Sequence, residues 1–228
     1  METLLTKGIQ KGRLKIQDYQ DTEIGRIPKE WEVVKLGDIG DLQDGDWILK
    51  EDYTDSGVRL LQVGDIGLGA FIDKSERYIS NERANQLKCT FVDPDEDVLI
   101  SRMPDPIGRA CLAPLLSYPY IVAVDVTIFR LEKETANPKF IIYSLNNPSI
   151  LKKVSRYSSG ATRQRISRTN LEQIPLPLPP LPEQQNIAEI LSTVDQKIEL
   201  LKSKKEKYEK IKKGLMEDLL TGKRRVKV

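Results

Sequence analysis

The 228 residues hold 36 basic and 34 acidic side chains for a net charge of +2, with 39% apolar and 31% charged positions and a mean hydropathy of −0.42. That is enough chain for about one and a half domains of ~150 residues, and it contains no apolar run near the ~18 residues that a bilayer span requires. There is no histidine, which excludes every histidine-based triad and general base. With only two cysteines, it also argues against a structural zinc site.

Taken in chain order, Met1-Glu2-Thr3-Leu4-Leu5-Thr6 opens a polar stretch that lacks the apolar core of a signal peptide. The hexapeptide returns as Met216-Glu217-Asp218-Leu219-Leu220-Thr221, identical at five of six positions. A repeat spaced by nearly the whole chain suggests one unit of a two-unit design. Residues 21–174 mix short apolar runs with turn signals at Asp44-Gly45, Asp55-Ser56-Gly57, Gly67-Leu68-Gly69 and Pro104-Asp105-Pro106. Strands are expected at Val58–Val63, Asp97–Ser101 and the β-branched run Tyr120–Leu131. A helix is expected over Pro138–Leu145, capped by Asn137 with proline at its first position. The order of elements is α+β, without regular βαβ alternation.

Residues 175–182 belong to the run Ile174–Pro182, IPLPLPPLP, whose prolines favour a stiff polyproline hinge. From Glu183 a helix should run for about 38 residues. Ile187, Val194, Leu201, Tyr208 and Leu215 recur every seven residues; Ile190, Leu191, Ile198, Ile211 and Leu219 fill adjoining positions, and Lys204 and Lys205 interrupt the seam. Such a stripe calls for a partner helix; the alternative is a helix folded back on its own domain. The helix takes residues 183–222, leaving a basic tail at 223–228.

Charge is uneven along the chain. Residues 21–110 hold 20 acids and 11 bases, whereas residues 150–170 hold Lys152, Lys153, Arg156, Arg163, Arg165 and Arg168 with no acid. A neutral total with local basic stretches suits contact with a polyanion at chosen places. The two isolated cysteines, Cys89 and Cys111, fit a reducing cytoplasm without a disulfide framework.

Catalytic patterns are absent. There is no Walker phosphate loop, Gly64–Gly69 has the wrong spacing for a dinucleotide fingerprint, and Asn146-Asn147-Pro148-Ser149 lacks the aromatic end of an adenine-methyltransferase motif, reading instead as a helix-ending turn. Asp38, Asp41, Asp44 and Asp46 miss the calcium-loop spacing and read as an acidic surface turn.

Pro-Leu-Pro-Pro-Leu-Pro-Glu-Gln-Gln-Asn-Ile-Ala at 177–188 and Leu-Leu-Thr-Gly-Lys at 219–223 resemble the conserved region of the specificity subunit of type I restriction–modification enzymes. Thr22–Ile39 resembles the phrase that opens a target-recognition domain of that family, and Gly160–Ile174 the phrase that closes one. The resemblance implies a DNA-binding target-recognition domain over 21–174 and a conserved helix for dimerisation and partner assembly. Residues 1–20 would then match the end of such a helix. Family members usually carry two such domains, with their helices paired as an antiparallel coiled coil, so this chain looks like a half-subunit that forms a homodimer. It would be cytoplasmic and non-catalytic. Its partners would be double-stranded DNA and the modification and restriction subunits, with S-adenosylmethionine, ATP and Mg carried by those subunits.

On that reading Arg156, Tyr157, Ser158, Thr162, Arg163, Gln164 and Arg165 form a flexible basic loop that meets DNA, with Arg59, Gln62, Arg102 and Arg109 as further candidates on strand ends or turns. Arginine can read guanine and glutamine adenine in bidentate pairs. The dimer would be closed by Ile187, Ile190, Leu191, Val194, Ile198, Leu201, Tyr208, Ile211, Leu215 and Leu219. The rival reading is a coiled-coil scaffold or assembly protein without sequence-specific DNA binding.

Overall fold

The computed structural model of the chain describes residues 9–10, 13–14, 18–160 and 164–226. The elements run β1 (Ile9–Gln10), β2 (Arg13–Leu14), β3 (Tyr19–Thr22), β4 (Gly25–Pro28), β5 (Glu32–Lys35), β6 (Gly40–Asp44), β7 (Tyr53–Thr54), β8 (Val58–Leu61), β9 (Tyr78–Ile79) and α1 (Asn81–Gln86). They continue with β10 (Val98–Ser101), β11 (Ala110–Leu112), β12 (Tyr120–Val122), β13 (Val126–Leu131), α2 (Pro138–Leu145), α3 (Pro148–Arg156), α4 (Arg168–Glu172), β14 (Pro175–Leu178) and α5 (Leu181–Leu220). This is the expected α+β domain followed by a long helix. The chain divides into two units, residues 1–188 and 189–228.

Two four-stranded sheets build the domain. The first, in the order β11-β10-β13-β6, is antiparallel throughout; the second, β12-β8-β9-β7, has one parallel pair, β12 with β8. Strand alternation sorts their side chains. Leu99 of β10, Cys111 of β11, Tyr120 and Val122 of β12, and Val126 and Ile128 of β13 share one buried cluster with Leu61. Ile121 points the other way, into a second cluster with Val58, Leu60, Ile79, Ala84 and Cys89.

The run expected as one strand over Tyr120–Leu131 is two strands in different sheets. A turn at Ala123–Asp125 separates them, closed by Val126 N–H donating to Ala123 O at 2.8 Å. The expected helix at Pro138–Leu145 forms within its stated bounds, and the Asn137 side chain accepts from Phe140 N–H at 3.0 Å. Asn146 and Asn147 do end that helix, and Asn147 also caps α3, accepting from Ser149 N–H at 2.9 Å.

The stiff hinge expected over 175–182 is corrected: Pro175–Leu178 form a buried strand, and Leu181 and Pro182 already belong to α5. β14 pairs antiparallel with β5, Leu176 opposite Val34 and Leu178 opposite Glu32, and all four of its residues are buried. Leu36 N–H donates to Ile174 O at 3.0 Å. Hydrogen-bonded pairs alternate in an antiparallel ladder, so Pro175 and Pro177 fall on the positions where no N–H is required.

Glu183 and Gln184 fix the start of α5 within the first unit. Trp31, 1% exposed, donates from Nε1 to Glu183 Oε2 at 3.2 Å. The Gln184 side chain is fully buried; its Nε2 donates to Thr135 O and Pro179 O at 2.9 and 2.8 Å, and its Oε1 accepts from Asn137 N–H at 2.8 Å. Ile187 is also fully buried and belongs to this unit, so it fills the domain interior and is corrected from the dimer seam. Leu191 is 5% exposed and Ile190 half-buried, whereas Val194, Ile198, Leu201, Tyr208, Ile211, Leu215 and Leu219 are 43–67% exposed. Among the described residues no helix is long and apolar enough to cross a membrane.

Candidate nucleic-acid interface

The basic segment is not one flexible loop. Ile150 and Val154, four residues apart and buried, dock α3 on the domain. Arg156 stands in its last turn, with Tyr157, 45% exposed, as the C-cap. Burial lowers the Lys153 ammonium below its usual range. Gly108, at φ +87°, leaves room for this helix: a Cβ there would lie 2.8 Å from Val154 Cγ1. Ser158 Oγ then donates to Ser155 O at 2.6 Å.

Ser159 and Arg165 face each other across a two-way backbone pair, N–H to O, at 3.0 and 2.9 Å. That bridge is the base from which residues 160–164 depart. Gln164 is exposed; Thr162 and Arg163 lie outside the described residues. Ile166, fully buried, anchors the returning strand and donates its N–H to Arg102 O at 3.1 Å. Ser167 caps α4, and Asn170 Nδ2 ties that helix to Tyr157 O at 3.0 Å.

The Ala123–Asp125 turn holds the returning strand. Arg165 Nε lies 2.8 Å from Asp125 Oδ1, with the arginine side chain 43% exposed. Asp125 O accepts the Arg102 N–H at 2.9 Å. On the other flank of the turn, Asp46 N–H donates to Val122 O at 2.8 Å. Gly45 permits that approach, since a Cβ there would stand 2.3 Å from Ala123 O. Trp47 follows, 69% exposed. One edge of the domain therefore gathers Trp47, the 123–125 turn and Arg165, with the bridge that opens residues 160–164.

Three arginines expected at this surface are corrected to scaffold positions. Arg59, 2% exposed, donates to Tyr118 Oη at 2.8 Å, to Asp73 and to Ser75 O; burial opposes its charge, but Asp73 and Tyr118 outweigh burial and raise its pKa. Arg102, 2% exposed, donates to Val124 O and pairs with Asp44 at 3.4 Å, and burial lowers its pKa. Arg109 spends its fork on four carbonyls, Ile66, Val63, Met103 and Pro106, at 2.6–3.0 Å, and burial lowers its pKa as well. Donors consumed by carbonyls in the interior cannot reach base edges. Gln62, half-buried, lines a cleft with Gly64, Asp65, Lys74, Ser75, Glu76 and Arg77, and follows Leu61, whose carbonyl accepts the Ala123 N–H at 2.8 Å.

The acidic residues have separate roles. Asp38 accepts from Lys35 N–H at 3.0 Å, Asp44 pairs with Arg102, and Asp46 accepts from Thr90 N–H at 3.0 Å. Among the described residues no group of three or more acids or cysteines could hold a metal ion. Asp125, which orients Arg165, was not singled out from sequence, though it is the one charge inside the β-branched run 120–129. Trp47 gave no periodic signal at all.

Residues 28–210 match the family described as the type I restriction modification DNA specificity domain. The chain is 31% identical over 229 residues to the type I restriction enzyme MjaVIII specificity subunit of Methanocaldococcus jannaschii, covering all of this chain and 53% of that protein. It is 34% identical over 234 residues to the putative MjaX specificity subunit of the same organism, covering all of this chain and 50% of that one. It thus spans about half the length of these relatives. Its fold is similar to a chain from a structural study of complex assembly in a type I R-M system (TM-score 0.62, 23% identity, 83% of this chain and 44% of that one). It is also similar to the HsdS subunit of Thermoanaerobacter tengcongensis (TM-score 0.59, 21% identity, 81% and 42%). With the family match running from the first sheet pairings into the long helix, the chain belongs to the type I restriction–modification DNA specificity family.

Proposed function

We propose that this chain is a half-length specificity subunit whose two copies, joined through α5, read a bipartite, interrupted-palindrome site on duplex DNA. Each copy supplies one recognition domain, and the twofold makes the half-sites inverted repeats. It performs no chemistry itself; S-adenosylmethionine, ATP and Mg belong to the modification and restriction subunits that it directs to the site. The observation that carries this reading is a specificity-family domain spanning half of its relatives and continued by a helix whose apolar stripe is exposed. On the domain, the surface around Arg156, Tyr157, Ser158, Gln164 and Arg165 supplies contacts to phosphates and bases.

The deciding experiment expresses the chain with its modification subunit and maps methylation across the host genome. The expected result is methylation at a site with two mirror-related halves, and retention of that duplex by the complex that falls steeply with salt. An asymmetric site would overturn the twofold, and an assembled complex indifferent to DNA sequence would favour the scaffold reading instead.

A further inference from the structure

The two tryptophans of the chain have opposite surroundings. Trp31 is 1% exposed and hydrogen-bonded to Glu183, whereas Trp47 is 69% exposed. Alternation along an extended segment explains the second. Asp46 accepts the Thr90 N–H at 3.0 Å beside the Cys89 thiol, and Ile48 packs on the buried cluster that contains Cys89. Positions 46 and 48 therefore face the interior, and the residue between them faces out. The segment is also fixed. Gly45 and Asp46 donate their N–H groups to Val126 O and Val122 O at 2.9 and 2.8 Å, and Asp46 forms a parallel bridge with Ala123. A large flat side chain with few rotatable bonds is thus held on a rigid backbone, where binding has little conformational freedom left to remove.

The indole stands on the polar edge described above. The 123–125 turn flanks its segment, and Asp125 of that turn holds Arg165 at 2.8 Å. On the far side of the turn, Leu61 O accepts the Ala123 N–H at 2.8 Å, so Gln62 reaches the same end of the sheet. The carboxylates nearby are each matched by a donor or a cation: Asp44 by Arg102, Asp46 by the Thr90 N–H and Asp125 by Arg165. A polyanion can approach without meeting an uncompensated negative charge. Arg156, Ser158, Gln164 and Arg165 act on DNA through hydrogen bonds and charge. Trp47 differs, because its face is apolar. The apolar group that a base edge offers in the major groove is the thymine methyl.

We infer that Trp47 is a specificity-determining residue whose indole packs on a thymine methyl beside the contacts of Arg165. This rests on the DNA-reading function proposed above and adds a base class to it, one A·T pair in each half-site read through its methyl group. Insertion of the indole between bases is the less favourable use of the same side chain. A wedge has to unstack a base step and works from the minor groove with bending of the duplex, whereas the arginine and glutamine on this edge have their distinctive partners in the major groove. Covering one methyl group corresponds to about fourfold in affinity. Loss of the whole indole removes more, because its contact with the neighbouring sugar and base edges goes with it.

The test uses the full chain in complex with its modification subunit, on duplexes carrying the mapped methylation site with deoxyuridine replacing each thymidine in turn. At one thymidine of each half-site the parent complex should lose about fourfold in affinity. Trp47→Ala should bind the unmodified duplex about tenfold more weakly or worse and be indifferent to that same replacement, and Trp47→Phe should keep most of the methyl dependence. Thermal unfolding of both variants should match the parent, since the side chain is exposed. Parent affinity and an unchanged site in Trp47→Ala overturn the inference. So does a uniform loss on every duplex, or a set of sensitive thymidines that cost the variant as much as the parent. Each of these results leaves the specificity-subunit reading standing, because the parent still selects its site. A parent complex that binds all duplexes alike overturns both.

Discussion

Gln184 accepts the Asn137 N–H at 2.8 Å, and Asn137 in turn caps α2 through Phe140 N–H. A side chain from the first turn of the long helix thus fixes the backbone that starts a helix 47 residues earlier. Its amide also takes two carbonyls, Thr135 O and Pro179 O. Gln184→Ala should destabilise the domain by about 2–4 kcal/mol, because one donor and two acceptors are left buried without partners. Urea unfolding of the variant against the parent checks this; a loss below ~1 kcal/mol would mean that water replaces the glutamine.

Arg165 and Arg109 should separate recognition from folding. Arg165 is half exposed and ion-paired to Asp125, so Arg165→Ala should change stability by less than about 1 kcal/mol while weakening or relaxing site recognition. Arg109 holds four carbonyls from two chain segments, and Arg109→Ala should cost about 3 kcal/mol or more. Asp125→Asn should resemble Arg165→Ala in recognition, since the arginine loses its orienting charge. Methylation mapping beside thermal unfolding reads both effects, and an unchanged methylation pattern in Arg165→Ala would remove it from the interface.

What the sequence disclosed follows the range of the forces involved. The helix at Pro138–Leu145 was legible because its start signal, Asn137-Pro138, is local. The same signal stands at Asn147-Pro148, with Ile150 and Val154 at helical spacing behind it, but Asn146-Asn147-Pro148-Ser149 reads equally as the turn that ends the preceding helix. The Pro175–Leu178 strand was hidden because its partner lies some 140 residues earlier, and only the alternation of Pro175 and Pro177 hinted that a ladder could accept them. Arg59, Arg102 and Arg109 were misplaced for the same reason. An arginine alone does not show which distant carbonyls will surround it.

Apolar positions on α5 should fall into two classes. Ile187 is buried in the domain unit, whereas Val194 and Leu201 are 50% and 53% exposed. Ile187→Asp should therefore unfold or badly destabilise the domain, as an unpaired buried charge does. Val194→Asp/Leu201→Asp should leave its unfolding transition in place and abolish association. Sedimentation and circular dichroism together distinguish the outcomes; an unaltered dimer in the second variant would refute the seam.

Stability should also fall in mild alkali, through the two thiols. Burial pushes the Cys111 thiol up to about 12, and burial with the neighbouring Asp46 carboxylate pushes Cys89 up to about 11. The unfolded chain releases the same protons near the ordinary thiol value of ~8.5. Above that pH the unfolded state binds fewer protons than the folded one, so the free energy of unfolding decreases as pH rises. The loss begins near the unfolded value and continues for Cys89 to about pH 11 and for Cys111 to about pH 12. At one pH unit above the unfolded value, the pair should have removed about 3 kcal/mol relative to neutral pH. Urea titrations at pH 7 and 9.5 measure the change, and Cys89→Ala/Cys111→Ala should flatten it even though the lost sulfur volume lowers stability at both values. Alkylation under native conditions at pH 8 should be slow and become fast in denaturant, since the folded thiols stay protonated and covered; rapid native labelling of Cys111 would contradict its placement between the sheets.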